Sequence, residues 1–174
     1  TDLERIDPLG RLQGMQPTAS APERPSPWPE GLVAAYQEHW LALTRLGYLL
    51  TGDRGTAEEV VQDAFVRTLA AWPRVESPLA YLRTCVVNGV RDRGRRVAVA
   101  ERRAERRADH AVDHPDELWD ALAALDPRRR TVIVLRFYAD LPDREIAEIL
   151  DCRPATVRTL AHRGLRDLRR ELTA

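Results

Sequence analysis

From Leu32 to the C-terminus the apolar residues of this chain recur three and four positions apart, and no segment alternates with period two for long enough to make a strand. That spacing gives a series of helices one apolar stripe each. A first helix is predicted over 32–50, with Leu32, Val33, Tyr36, Trp40, Leu43, Leu46, Leu49 and Leu50 on its inner side and Gly52-Asp53 ending it. A second runs over 55–72 on Ala57, Val60, Val61, Ala64, Phe65, Thr68, Leu69 and Trp72, and Pro73 stops it. Ser77-Pro78 opens a third, whose stripe is Leu79, Leu82, Val86, Val87 and Val90 and whose end Gly94 weakens. Residues 97–115 have no wide apolar face and read as a linker. Beyond them four more helices are expected: Pro115 to Leu125, Arg128 to Tyr138 behind Asp126-Pro127, Asp143 to Leu150, and Pro154 to Leu172.

The expected fold is all-α, with two small helical domains joined by a flexible linker. Residues 1–29 hold six of the chain's twelve prolines and no sustained periodicity, and read as a disordered tail. The first domain is expected over 30–97, the linker over 98–115 and the second domain over 116–174. No apolar run approaches the roughly eighteen residues of a membrane span, and there is no signal-peptide layout. A cytoplasmic protein with no membrane partner is therefore expected. Cys85 and Cys152 each lie beside apolar helical positions and read as separate buried thiols.

Charge is informative through its distribution. The 27 basic and 27 acidic residues cancel, and every basic residue is arginine. Yet residues 81–107 carry nine arginines against Asp92, Glu101 and Glu105, and residues 151–170 carry six against Asp151 and Asp167. Between these basic blocks, residues 109–126 hold six acids and no arginine. Two cationic surfaces separated by an acidic stretch suit an extended polyanionic partner better than a solvated charged face does.

The second basic block lies in "LPDREIAEILDCRPATVRTLAHRGLRDLRREL". Ile146, Ile149 and Leu150 on one helix and Val157, Ala161, Leu165 and Leu168 on the next allow the pair to pack through a short turn at 151–153, with Ala147 small enough for close approach. This is the pattern of a helix-turn-helix. Its outer face carries Arg153, Thr156, Arg158, Thr159, His162 and Arg163. Arginine can grip guanine edges in the major groove with two parallel hydrogen bonds, while hydroxyls and further cations hold phosphates.

Taken with "GDRGTAEEVVQDAFVRTLAAW" and "SPLAYLRTCVVNGVRDRGRR", this block and the "LDPRRRTVIVLRFYAD" before it resemble bacterial RNA polymerase sigma factors of the extracytoplasmic-function type, sigma-70 family proteins that keep only conserved regions two and four. The resemblance covers about Leu32 to Arg170. It implies that Val60, Gln62, Asp63 and Phe65 lie at or near the coiled coil of the polymerase clamp, with Leu69 and Trp72 in the core. It implies that Asn88 reads an extruded base of the minus-ten element while Arg91, Arg93, Arg95 and Arg96 follow the phosphates of the melted single strand. The helix-turn-helix then reads the minus-thirty-five element as double-stranded DNA. The acidic stretch is expected to follow the polymerase's RNA-exit path rather than to cover the basic blocks. An anti-sigma protein is a further candidate partner.

Several positions depart from the family pattern. Tyr81 stands where tryptophan is usual and is expected in the core; Asp151 replaces a turn glycine, Arg153 and Pro142 replace capping serines, and Leu160 replaces a basic residue. No phosphate-binding glycine loop, nucleophile elbow or triad is visible, so no catalytic residue and no cofactor is expected. "DHAVDH" offers His110 and His114 one turn apart but no third ligand, and no metal is expected. The alternative reading is a helix-turn-helix regulator that keeps this fold and acts without polymerase.

Overall fold

The computed structural model describes residues 28–103 and 117–173, the side chains of 97–103, 117 and 119 excepted, and among these no strand occurs. The chain order is α1 (Glu30–Thr51), α2 (Arg54–Ala71), a 3-10 turn (Trp72–Arg74), α3 (Pro78–Arg103), α4 (Glu117–Ala123), α5 (Pro127–Phe137), α6 (Asp143–Leu150) and α7 (Pro154–Leu172). The proline-rich tail up to residue 27, both histidines of "DHAVDH" and the acids from Asp109 to Asp116 lie outside the described residues.

Local chemistry sets most helix ends. Gly52 closes α1 in the left-handed region, with φ 75°, and its N–H donates to the Tyr48 carbonyl. Asp53 caps α2 by accepting from the Thr56 N–H at 2.6 Å, and Asp126 caps α5 by accepting from the Arg128 and Arg129 N–H groups at 3.0 and 3.3 Å. Helix α3 passes Gly94 and continues to Arg103, several residues into the stretch that reads as a linker. An isolated glycine costs a helix only about 1 kcal/mol. Arg93 pairs with Glu59 of α2 and Arg95 with Asp92 one turn earlier, which supports the helix on both sides of that position.

Helices α1, α2 and α3 pack mutually to form the first domain. Phe65 is its largest fully buried side chain, edge-on to Tyr36 at 5.1 Å between ring centroids and tilted against Trp40 at 6.0 Å. Gly89 lets α3 approach α2: a Cβ there would lie 2.9 Å from Val60 Cγ1. The second domain forms as α7 packs on α4, α5 and α6 around Val132, Leu135, Ile146, Leu150, Val157 and Ala161. Gly164 plays the corresponding part, since a Cβ there would lie 2.9 Å from Ile133 Cγ1.

Asp167 is buried on the inner edge of α7, where it accepts from Arg129 of α5 and from its neighbour Arg166. Burial raises its pKa, but the hydrogen bonds and charges of Arg129 and then Arg166 outweigh that and hold the carboxyl below its ordinary value. A depressed carboxyl stabilises the fold at pH above its unfolded value of about 3.9, and that contribution is lost as pH falls through the lower folded value. In thermal melts at pH 7, Asp167→Asn should melt below the wild type, and the gap should close progressively below about pH 4. A variant whose melting temperature runs parallel to the wild type down to pH 3 would contradict this.

Candidate nucleic-acid interface

The turn between α6 and α7 is built without the glycine that would suit it best. Asp151 takes φ 48° and ψ 60° in the left-handed region, and its N–H donates to the Ala147 and Glu148 carbonyls. The Cys152 N–H also donates to the Ala147 carbonyl, at 2.9 Å, closing the turn as a Schellman-type cap. Aspartate tolerates this conformation better than most side chains, because its short polar group stabilises it locally. Neither Pro142 at the start of α6 nor Arg153 at the start of α7 provides a side-chain cap, so α7 relies on Pro154 at its first position for pre-organisation.

Val157, Ala161 and Gly164 bury the inner side of α7, and Leu160, Leu165 and Leu168 pack half-buried beside them. The outer side exposes Arg153, Arg158, Thr159, His162 and Arg163, while Thr156 is half-buried. The Thr159 hydroxyl donates back to the Ala155 carbonyl at 3.0 Å, which leaves its lone pairs outward. Among the described residues the Arg158 and Arg163 side chains have no ion-pair partner.

On α3, Tyr81, Asn88 and Arg95 lie seven residues apart and share one face, with Arg91 beside them. Asn88 is half-buried, and no described residue hydrogen-bonds its amide. Arg91, Arg95 and Arg96 are exposed; Arg93 turns aside to Glu59. Tyr81, expected in the core, is 37% exposed. Its register with Asn88 was visible in the sequence, but nothing there said which face α2 would cover. Burial pushes the Cys85 thiol up, opposed by the Arg67 charge and the nearby Tyr81 hydroxyl. Both cysteines are free and half-buried.

The residues on α2 separate into two groups by exposure. Val60 and Phe65 are 4% and 2% exposed and belong to the core, Val60 against Gly89 and Phe65 against Tyr36 and Trp40. A partner on the outside cannot touch them in this conformation. Gln62 and Asp63 are exposed on a stripe with Glu59 and Val66, of which Val66 is 61% exposed. Leu69 and Trp72 pack half-buried against the core. No group of three or more metal-ligating side chains occurs among the described residues.

These features define a two-domain helical protein whose second domain is a helix-turn-helix. Comparison with known proteins agrees along the chain. Residues 35–99 match the family described as sigma-70 region 2, and residues 116–168 match sigma-70, region 4. The RNA polymerase sigma-E factor of Streptomyces coelicolor is 32% identical over 143 residues, covering 76% of this chain and 81% of that protein. The ECF RNA polymerase sigma factor SigL of Mycobacterium tuberculosis is 31% identical over 154 residues, covering 78% and 85%. In the solved complex of the sigma factor RpoE with the anti-sigma factor NepR from Bartonella quintana, a chain superposes with a TM-score of 0.68 at 20% identity, covering 81% of this chain and 98% of that one, a likeness of fold. This chain belongs to the extracytoplasmic-function sigma factors of the sigma-70 family.

Proposed function

We propose that this chain binds bacterial core RNA polymerase, selects promoters and helps to open them, as an alternative sigma factor. The observation that carries this reading is that both family regions occur in one chain and that each presents an exposed basic face, one on α3 and one on α7. The α7 face enters the major groove at the minus-thirty-five element, with Arg158 on a base edge and Arg153 and Arg163 on phosphates. The α3 face holds the melted minus-ten strand. Asn88 offers a donor and an acceptor to an extruded base, Tyr81 offers a ring for stacking, and Arg91, Arg95 and Arg96 neutralise phosphates. Unstacking a base costs a few kcal/mol, which binding to many phosphates offsets.

The polymerase clamp meets the exposed stripe of α2, namely Glu59, Gln62, Asp63 and Val66. The chain performs no chemistry of its own in this reading; bond formation belongs to the polymerase. It acts in the cytoplasm, on the nucleoid when assembled, and no described helix is long and apolar enough to cross a membrane. The fold relative solved in complex with an anti-sigma factor supports such a protein as a further partner.

Charge reversal at Asp63 tests the polymerase contact. Asp63 is exposed, so Asp63→Arg should leave the melting temperature within about a degree of the wild type. Its affinity for core polymerase should fall about tenfold or more, with duplex promoter binding by the free chain unchanged. Unaltered polymerase binding, or none by the wild type, would favour the regulator that works without polymerase.

A further inference from the structure

Where the first domain meets the second, the chain encloses a cleft of about 880 Å³. Small-molecule sites commonly measure roughly 300–1,000 Å³ and combine an apolar lining with a few placed polar groups. Arg130 of α5 forms part of this wall and is committed to main-chain carbonyls: Nη1 donates to Leu50 of α1 at 3.2 Å and Nη2 to Ala123 at 2.7 Å. At the other end of α5 the Tyr138 hydroxyl donates to the Ala42 carbonyl of α1 at 3.2 Å. The apolar lining includes Leu50, Val90 and Leu150, one residue each from α1, α3 and α6.

The charged lining consists of five arginines and two aspartates, so the cleft favours an anion. Three of those arginines are already engaged: Arg130 with its carbonyls, Arg93 with Glu59 and Arg95 with Asp92. Arg91 of α3 and Arg128 of α5 are exposed, and among the described residues neither has an ion-pair partner. They belong to different domains and line the same space. A guanidinium holds a phosphate with two parallel hydrogen bonds, and a phosphate taken up by both would cancel their mutual repulsion. Each polar group also has an apolar neighbour in the lining, Val90 beside Arg91 and Leu150 beside Asp151. An ionised aspartate only accepts hydrogen bonds, so Asp151 calls for a donor on the ligand, next to an apolar surface that suits a flat ring. Duplex DNA, one turn of which is about 34 Å long, is too large for this space.

We propose that the cleft is a binding site for a purine nucleoside diphosphate. Its phosphates lie between Arg91 and Arg128, its ring packs on Leu50, Val90 and Leu150, and a ring amino group donates to Asp151. The site stands on the cleft alone and does not depend on the polymerase reading. If Arg91 also holds the melted strand, nucleotide and strand compete for one guanidinium.

Isothermal titration calorimetry on the full-length free chain tests this, with ADP and GDP as probes and inorganic pyrophosphate for comparison. One equivalent of nucleotide should bind, about tenfold or more tighter than pyrophosphate, which has no ring to bury. Arg128→Ala should weaken nucleotide binding about tenfold or more, the effect of losing a charged hydrogen-bond donor. Arg169→Ala, exposed on α7 and outside the cleft, should leave it unchanged. Asp151→Asn keeps a side chain that tolerates the left-handed turn and should narrow the gap between nucleotide and pyrophosphate. Circular dichroism establishes that each variant is folded. No saturable binding of either nucleotide, pyrophosphate binding as tightly as they do, or equal losses from Arg128→Ala and Arg169→Ala would overturn the site. So would an Arg128→Ala variant that binds single-stranded DNA more weakly but the nucleotides as before, since the cleft would then belong to the promoter face. None of these measurements involves polymerase, so failure of the sigma reading and failure of the nucleotide site give different results.

Discussion

Phe65→Ala lowers the stability of the first domain by about 4 kcal/mol, the expected cost of emptying a fully buried phenylalanine site. The side chain is 2% exposed and sits in an aromatic cluster with Tyr36 and Trp40, so little can collapse into the space it leaves. For a domain of this size each kcal/mol shifts the melting temperature by about 4–8 °C, and the first-domain transition should drop by roughly 20 °C. Circular dichroism melts would record it. Polymerase binding would also fail, but only in proportion to the unfolded fraction, and binding should recover on cooling. Val66→Asp is the counterpart on the exposed stripe: unchanged melting with weakened polymerase binding. Should Phe65→Ala melt like the wild type and yet lose the polymerase at every temperature, Phe65 would be a contact residue after all and the packing described here would be incorrect.

The second large effect concerns α7. Arg158 lies in the second turn of that helix, where a helix-turn-helix meets base edges, and Arg163 one turn and a half further on, where it meets backbone. Both are exposed and neither supports the fold. Arg158→Ala should cost about 2 kcal/mol, some thirtyfold, on the protein's own promoter, and little on unrelated duplex. Arg163→Ala should weaken both DNAs by the same factor and reduce the salt dependence of binding by about one unit of slope. Fluorescence anisotropy over a salt series separates the two patterns. Equal losses on both DNAs from Arg158→Ala would move that residue from base reading to phosphate contact.

Much of this protein is legible in its sequence, because a helix records its own geometry at short range. Apolar spacing of three and four placed seven helices, Asp126 announced a cap that forms, and the pattern from Ile146 to Leu168 described a hairpin whose outer face could be named before the fold was known. The misreadings fall where a residue's surroundings come from far along the chain. Helix α2 is packed by α1 on one side and α3 on the other. Its apolar residues therefore serve two interfaces at once, and Val60 and Phe65, which the family pattern places near the polymerase, are taken up by the core. Tyr81 shows the converse: a lone aromatic at a helix start reads as core, but α2 covers the other face of α3 and leaves it exposed.

What the sequence determined by itself was the set of helices, the helix-turn-helix and the residues of the basic faces, since all follow from contacts within a few turns. Only the tertiary structure decided which of the α2 residues a partner can reach and that α5 lies on α1. The first depends on α1 and α3 packing against α2, the second on Arg130 meeting Leu50 and Tyr138 meeting Ala42, pairs separated by 80 and 96 residues. Periodicity carries no record of contacts at that distance, because it describes a helix's faces and not what will cover them.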